Sequence, residues 1–189
     1  MYKQSPLEIR PLAEVMVGYS QEGRSLEEDD PFLGVLQWAG EAADPPVYGR
    51  AIVREPVDSV PRHILMFQGI VDTYILPPIA NTTSLSLGLD LAGEPLDADH
   101  PDLEHFTPLA EVLAYGGGTT IDLPASGNLS IGGAEVTAVV VQHAEDGVED
   151  GHEVMFQLPE AKDQYRCFLE TFRDGIPVVA MGEEGCEGR

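Results

Sequence analysis

Basic residues are scarce in this chain. Its 189 residues include 33 Asp and Glu but only 10 Lys and Arg, which gives a formal net charge of −23. No Lys or Arg occurs between Arg62 and Lys162. Nucleic acids and anionic membrane surfaces bind proteins through basic patches, so the composition argues strongly against both classes of partner. The simplest interpretation of the acidic excess is a solvated surface.

Long apolar runs are also lacking. No segment approaches the roughly 18 apolar residues that a membrane-spanning helix needs. Residues 1–6, MYKQSP, lack the apolar stretch of a secretion signal. We therefore expect no membrane span and no signal peptide in this chain. Localisation stays open, and the acidic surface is compatible with a secreted or cell-envelope parent protein.

Cysteine is limited to two residues, Cys167 and Cys186. Two cysteines cannot form a zinc site alone, and neither belongs to a C-x-x-C motif. The sequence leaves open whether these two residues form a disulfide or remain free thiols. The acidic stretch at 97–104 suggests a calcium loop as a third possibility, but it lacks the glycine and the terminal glutamate spacing of an EF-hand. We predict no metal and no cofactor.

The first fifty residues have helical patterns. A capping-box spacing at 5–8 predicts one helix start, and Asp30-Pro31 opens a second helix that Gly40 can end. Trp38 lies off the apolar face of this second helix and is expected to pack against another element. The residues of that face are Phe32, Leu33, Leu36 and Ala39.

Two short runs are apolar on both faces, at 64–67 and at 136–142. Such runs are typical of parallel strands covered by helices on each side, which indicates an α/β fold. Pro77-Pro78 predicts the start of a helix that Gly88 ends. The alternation of leucines at 85–91 indicates that an extended segment follows.

The closing helix is the clearest in the chain, with Pro159 in its first turn and Gly175 after its end. Its apolar stripe consists of Ala161, Tyr165, Phe168, Leu169 and Phe172. The chain therefore divides into a helical region at 1–62, an α/β region at 63–175 and an acidic tail at 176–189. The acidic, glycine-rich segment 93–133 is interpreted as an insertion.

Each of the two apolar runs leads into a loop that carries a side chain suited to catalysis. Asp72 follows the first run, and His152 follows the second. A histidine that acts as a general base must be oriented, and stabilised as imidazolium, by a carboxylate to which it hydrogen-bonds. The carboxyl ends of parallel strands present such groups on one edge of a sheet. We predict that Asp72 and His152 form this pair.

Residues 62–74 resemble the acid-bearing strand and loop of bacterial α/β-hydrolase-like proteins, and residues 150–156 are similar to their histidine loop. Residues 44–50 are similar to the end of the cap region in some large members of that family. The resemblance spans about 30–92 and 134–175 and depends on context and order. It implies a partial α/β-hydrolase fold in which Asp72 orients His152 and His152 transfers the proton.

The nucleophile of that family is not recognisable. Ser20 lies in a sequence similar to G-x-S-x-G, but Glu22 replaces the second glycine, and an acidic, proline-broken segment follows. Ser130 has the wrong spacing and comes after the acid, as expected for a turn serine. The strands that precede the nucleophile are missing as well. We therefore expect no ester hydrolysis by this polypeptide alone.

Two functional hypotheses follow. The first is a C-terminal fragment of a serine hydrolase, with a small ester or amide as substrate of the full-length parent. Its partner would be an N-terminal hydrolase segment or a second copy of the chain. The alternative is a non-catalytic binding or assembly module on the same framework, in which Asp72 and His152 are relics. Whether the chain is an enzyme therefore stays open at this point.

Overall fold

A computed structural model describes residues 9–27, 29–147, 150–182 and 186. Its α-helices are α1 (Ile9–Met16), α2 (Tyr19–Glu22), α3 (Pro31–Gly40), α4 (Gly49–Ile52), α5 (Pro77–Leu87), α6 (Leu109–Gly116), α7 (Val154–Gln157) and α8 (Pro159–Phe172). Its strands are β1 (Ile64–Gly69), β2 (Asp90–Ala92), β3 (Thr120–Ile121), β4 (Ala125–Ser126), β5 (Leu129–Ile131), β6 (Ala134–Val136), β7 (Ala138–His143) and β8 (Val178–Val179). The capping box predicted at 5–8 lies outside the described residues.

Four strands form a parallel sheet in the order β1-β7-β2-β3. The two apolar runs are neighbours, since β1 pairs with β7 in parallel from Ile64 opposite Ala138 to Gly69 opposite His143. The second run is shorter than predicted because Val136 belongs to β6, which pairs with β5 in an antiparallel hairpin. The segment predicted as an insertion contributes β3 to the main sheet, where it pairs with β2.

Helices cover both faces of this sheet, which confirms a mixed α/β architecture. All six residues of β7 are buried. On one face, Ala138 and Val140 pack with residues of β2 and α6. On the other face, Val139 and Val141 pack with β8 and with Phe168 of α8. The described helices include none that is long and apolar enough to cross a membrane.

The N-terminal region is helical as predicted, but it adds little to the core. The Asp30 carboxylate caps α3 by accepting a hydrogen bond from the Phe32 N–H at 2.9 Å. No residue of α3 is buried, and Trp38 is 75% exposed. The prediction that Trp38 packs against another element is therefore wrong, because its side chain is largely exposed among the described residues.

The predicted stripe of α8 is also partly wrong. The buried residues of α8 are Ala161, Gln164 and Cys167. Leu169 and Phe172 are 59% and 54% exposed. Gln164 can be buried on the face toward the sheet because its amide is hydrogen-bonded there. Its partners are the side chain of His143 at 2.9 Å and the carbonyl oxygen of Ala180 at 3.2 Å.

A disulfide joins Cys167 of α8 to Cys186, which resolves the question that the sequence left open. Cys167 is fully buried. The bond therefore ties the C-terminal tail to the helix that covers one face of the sheet. Disulfides of this kind persist in oxidising compartments.

We expect reduction of this disulfide to lower the free energy of unfolding by about 3 kcal/mol, the cost of releasing a closed loop of this length. The two cysteines are 19 residues apart. Thermal unfolding with and without a phosphine reductant measures the effect. Cys186→Ser is the control, because the reductant should not change its melting temperature further. Equal melting temperatures for the oxidised and reduced native chain would contradict the expectation.

Candidate active site

The chain turns sharply at the end of β1. The Ile70 N–H still donates to the carbonyl oxygen of His143 at 2.8 Å, and Val71 then adopts a φ of 63°. A β-branched residue in the left-handed region is a genuine outlier and costs about 1–2 kcal/mol. Such strain tends to occur at functional sites. Here it directs the next residue, Asp72, toward the loop that follows β7.

Both oxygens of the Asp72 carboxylate have hydrogen-bond partners. Its Oδ1 accepts hydrogen bonds from the backbone N–H groups of Tyr74 and Ile75, each at 2.8 Å. Its Oδ2 lies 3.1 Å from Nδ1 of His152. Asp72 is only 8% exposed. The structure thus brings together the two residues that the sequence analysis selected, which are 80 positions apart.

Asp150 connects the acid loop to the histidine loop. Its carboxylate accepts from the His152 N–H at 2.9 Å, which caps the short 3-10 helix Gly151–Glu153. It also accepts from the N–H and the hydroxyl of Thr73, at 3.1 and 2.5 Å. Burial raises the pKa of Asp150, but the hydrogen bonds from Thr73 and His152 outweigh it and hold that pKa below its usual value. The carboxylate is therefore ionised at neutral pH.

Two glycines let the loops meet backbone to backbone. A Cβ on Gly69 would overlap the carbonyl oxygen of Gly151. A Cβ on Gly151 would overlap the carbonyl oxygen of Ile70 and lie 2.9 Å from the Asp72 nitrogen. The sequence analysis missed both residues. The available signal was their position, one directly after an apolar strand and one directly before His152.

The imidazole of His152 has one nitrogen engaged and one open. Nδ1 faces Asp72, and the ring centroid lies 5.0 Å from that of Tyr74. The side chain is 40% exposed, and Nε2 has no hydrogen-bond partner among the described residues. When Nδ1–H donates to Asp72, Nε2 of the neutral ring carries the lone pair. The arrangement can accept a proton at an exposed position next to a buried carboxylate.

No described serine lies where a strand–turn–helix would place a nucleophile. Ser20 is in α2 and follows the helix α1, whereas the nucleophile turn requires a strand before it. Ser130 is in β5, a hairpin strand rather than the turn that the sequence predicted. Both cysteines are engaged in the disulfide. Neither of the two candidate serines therefore lies on a strand–turn–helix.

A cleft of about 1010 Å³ opens at the carboxyl ends of β2, β3 and β7, and neither Asp72 nor His152 lines it. His143 does line it, with its ring 5.3 Å from that of Phe67 and Nε2 hydrogen-bonded to Gln164. Burial lowers the pKa of His143 and outweighs the opposing effects of Gln164 and Glu160. His143 is thus neutral at neutral pH, and its Nε2 is already occupied by the hydrogen bond to Gln164.

We expect acid to destabilise the chain partly through His143. Its folded-state pKa lies below 6.5, so the unfolded chain binds the proton first, and the free energy of unfolding falls as pH drops below about 6.5. His143→Gln should flatten this part of the stability curve, measured by urea unfolding between pH 7 and 5. His105→Gln, at an exposed histidine, is the control. Equal slopes for both variants would contradict this assignment.

The acidic stretch at 97–104 contains a buried helix cap. Asp97 is buried and accepts a hydrogen bond from the Leu109 N–H at 2.7 Å, which caps α6. In the part of the chain that the structure describes, no cluster of three or more His, Cys, Asp or Glu side chains could hold a metal. The role of Asp97 is thus helix capping.

Comparisons of the chain with protein-family models, with curated proteins and with solved structures gave no match. The case for a function therefore depends on the geometry of the site itself.

Proposed function

We propose that this chain is the acid- and histidine-bearing C-terminal portion of a serine hydrolase with an α/β-hydrolase-like fold. One observation carries the proposal: Oδ2 of Asp72 lies 3.1 Å from Nδ1 of His152 at the carboxyl ends of two adjacent parallel strands. The order acid, then histidine, each after a buried strand, matches the order of those residues in that fold class.

In the proposed mechanism, Asp72 fixes the tautomer and orientation of His152. Nε2 takes the proton from a serine hydroxyl as the oxygen attacks an ester or amide carbonyl. The imidazolium that forms is stabilised by the carboxylate of Asp72 and returns the proton to the leaving group. The two N–H groups that bond Oδ1 keep this carboxylate in place.

The serine is proposed to come from a segment other than the described residues. This part of the proposal is supported by the placement of Ser20 on a helix–turn–helix and of Ser130 in a hairpin. It is also supported by the 40% exposure of the His152 side chain, whose Nε2 has no hydrogen-bond partner among the described residues. The polypeptide alone should then hydrolyse no ester.

A second candidate function is a non-catalytic binding or assembly module. It is favoured by the apolar side chains that the N-terminal helices expose. Those that are more than half exposed in α1 and α3 are Leu12, Val15, Met16, Val35, Leu36 and Trp38. Exposed apolar patches of this kind indicate contact with another surface. In this case the Asp72–His152 pair would only join two loops.

The test measures hydrolysis of p-nitrophenyl butyrate, first by the purified chain and its Ser20→Ala variant. We expect neither to exceed the buffer rate. The chain is then co-expressed with any strand–G-x-S-x-G segment that its own genomic locus encodes. We expect hydrolysis that is lost in His152→Gln. Turnover by the chain alone that Ser20→Ala abolishes would contradict the proposal. A complex that forms but hydrolyses nothing would favour the assembly module.

A further inference from the structure

The two edges of the parallel sheet differ strongly. β3, at one edge, has only two residues, and short edge strands are one way in which proteins prevent unwanted strand pairing. β1, at the other edge, has six residues, ILMFQG, with no charge and no proline. Strands that are apolar on both faces belong to the interior of parallel sheets. β1 thus has the composition of an interior strand and the position of an edge strand.

The outward backbone groups of β1 are unpaired. The Ile64 N–H donates to the carbonyl oxygen of Thr137 at 2.8 Å, and the Ile70 N–H donates to that of His143. Successive residues of a strand direct their backbone groups to opposite sides, so those of Leu65, Phe67 and Gly69 point away from β7. The described part of the chain offers these groups no hydrogen-bond partner. The backbone groups of Leu65 and Phe67 are therefore unpaired along this edge, whereas Gly69, at its carboxyl end, is buried against Gly151.

Apolar side chains of α8 continue this open edge. The ring of Phe172 lies 5.6 Å from that of His63, the residue directly before β1, so the C-terminal end of α8 lies next to the start of β1. Leu169 and Phe172 are each more than half exposed there. A strand added beside the start of β1 would meet the exposed ring of Phe172.

We propose that the open edge of β1 binds an apolar strand of the polypeptide that supplies the serine, in parallel orientation. The choice of this polypeptide as the binding partner rests on the proposed function, whereas the unpaired edge of β1 does not. The Asp72–His152 pair lies past the carboxyl end of β1. A parallel neighbour would bring its own carboxyl end, and any residue that follows it, to the same side of the sheet.

A second copy of this chain fits the edge less well. Two copies related by a two-fold axis would pair β1 with β1 in antiparallel orientation, so that the two Asp72–His152 pairs would lie at opposite ends of the joint ladder. Each copy also carries a formal charge of −23, which opposes self-association. The parallel strand of a different segment avoids both problems.

The experiment places a photoreactive benzoylphenylalanine at Leu65 in the chain expressed from its own gene in its source cells. We expect an ultraviolet-dependent crosslink to an apolar segment of a polypeptide that also carries a serine reactive toward a fluorophosphonate. The same group at Tyr115, which is 88% exposed on α6, is the control position and should give no such crosslink. A crosslink to β1 of a second copy, a crosslink to another of the 189 residues of the same copy or a yield no higher than at Tyr115 would overturn the inference.

Amide exchange gives a second readout that does not depend on activity. In the isolated chain, the N–H groups of Leu65 and Phe67 should exchange at least tenfold faster than that of Met66, which faces β7. In the crosslink-forming complex all three should be protected, and Leu65→Pro should prevent the complex while leaving the ladder to β7 intact. Slow exchange at all three in a monomer would overturn the inference. Protection by a polypeptide without a reactive serine would support the strand-binding edge and overturn the proposed function.

Discussion

Gly69→Ala should lower the free energy of unfolding by about 3 kcal/mol, with a fall in melting temperature on the order of 10 °C. The added methyl group would overlap the carbonyl oxygen of Gly151, which is backbone and cannot rotate away. The loops that carry Asp72 and His152 must therefore separate. We expect the hydrogen bond between these two side chains to be lost together with the stability.

Gly34→Ala is the matched control for this substitution. Gly34 lies inside α3, and a Cβ there would meet no atom within 4 Å. Alanine is the better helix former, so the control should gain up to about 1 kcal/mol. Urea unfolding measures both variants, and the His152 side-chain resonances report on the loop. If Gly69→Ala is as stable as the native chain, the close contact between the two loops is not part of the fold.

Asp72→Asn and Asp72→Ala should separate the structural role of this side chain from the catalytic role that we propose for it. Asparagine keeps an oxygen that can accept from the N–H groups of Tyr74 and Ile75, but it places an NH₂ group next to Nδ1 of His152. The fold should lose less than about 1 kcal/mol. Nδ1 must then act as acceptor, so the proton moves to Nε2, and a completed enzyme should lose about 10⁴-fold in turnover.

Alanine at position 72 removes both functions. The Tyr74 and Ile75 N–H groups would lose their acceptor in a partly buried turn, at a cost of about 2 kcal/mol in the free energy of unfolding. Chemical denaturation measures the stability of each variant, and p-nitrophenyl butyrate hydrolysis measures the turnover of the completed enzyme. If Asn and Ala were equally destabilising, the backbone hydrogen bonds would not account for the role of Asp72. If Asn retained turnover, the proposed catalytic role would be wrong.

The pairing of the acid and histidine loops could be predicted from sequence because it depends on local patterns. The apolar runs that form β1 and β7 have no polar residue until they end, which is the signature of strands buried on both faces. The carboxyl ends of adjacent parallel strands lie together, so the loops after them meet. The resulting distance between Asp72 and His152 is a consequence of this topology.

The backbone features that hold Asp72 and His152 together could not be predicted from sequence in the same way. The contact between Gly69 and Gly151 joins positions 82 apart, and a glycine in a loop gives no sign of which backbone it approaches. The left-handed conformation of Val71 contradicts the local preference of a β-branched residue, so only the surrounding fold can impose it.

Helix α8 shows why amphipathic patterns alone mislead. Two of its apolar residues, Leu169 and Phe172, are more than half exposed, whereas the polar Gln164 is fully buried. Gln164 is acceptable in that position because His143 and Ala180 satisfy its amide. A sequence pattern ranks residues by hydrophobicity and has no information on partners that lie far along the chain. The same limit hid the order of the sheet, in which β7 lies between β1 and β2.

The central claim is that Asp72 sets the tautomer of His152 so that Nε2 is free to take a proton. A long-range ¹H–¹⁵N correlation spectrum of the native chain, recorded with the imidazole neutral, measures this directly. We predict that the proton is on Nδ1, with Nε2 unprotonated, and that Asp72→Asn reverses this assignment. A native His152 with its proton on Nε2, unchanged in Asp72→Asn, would contradict the account.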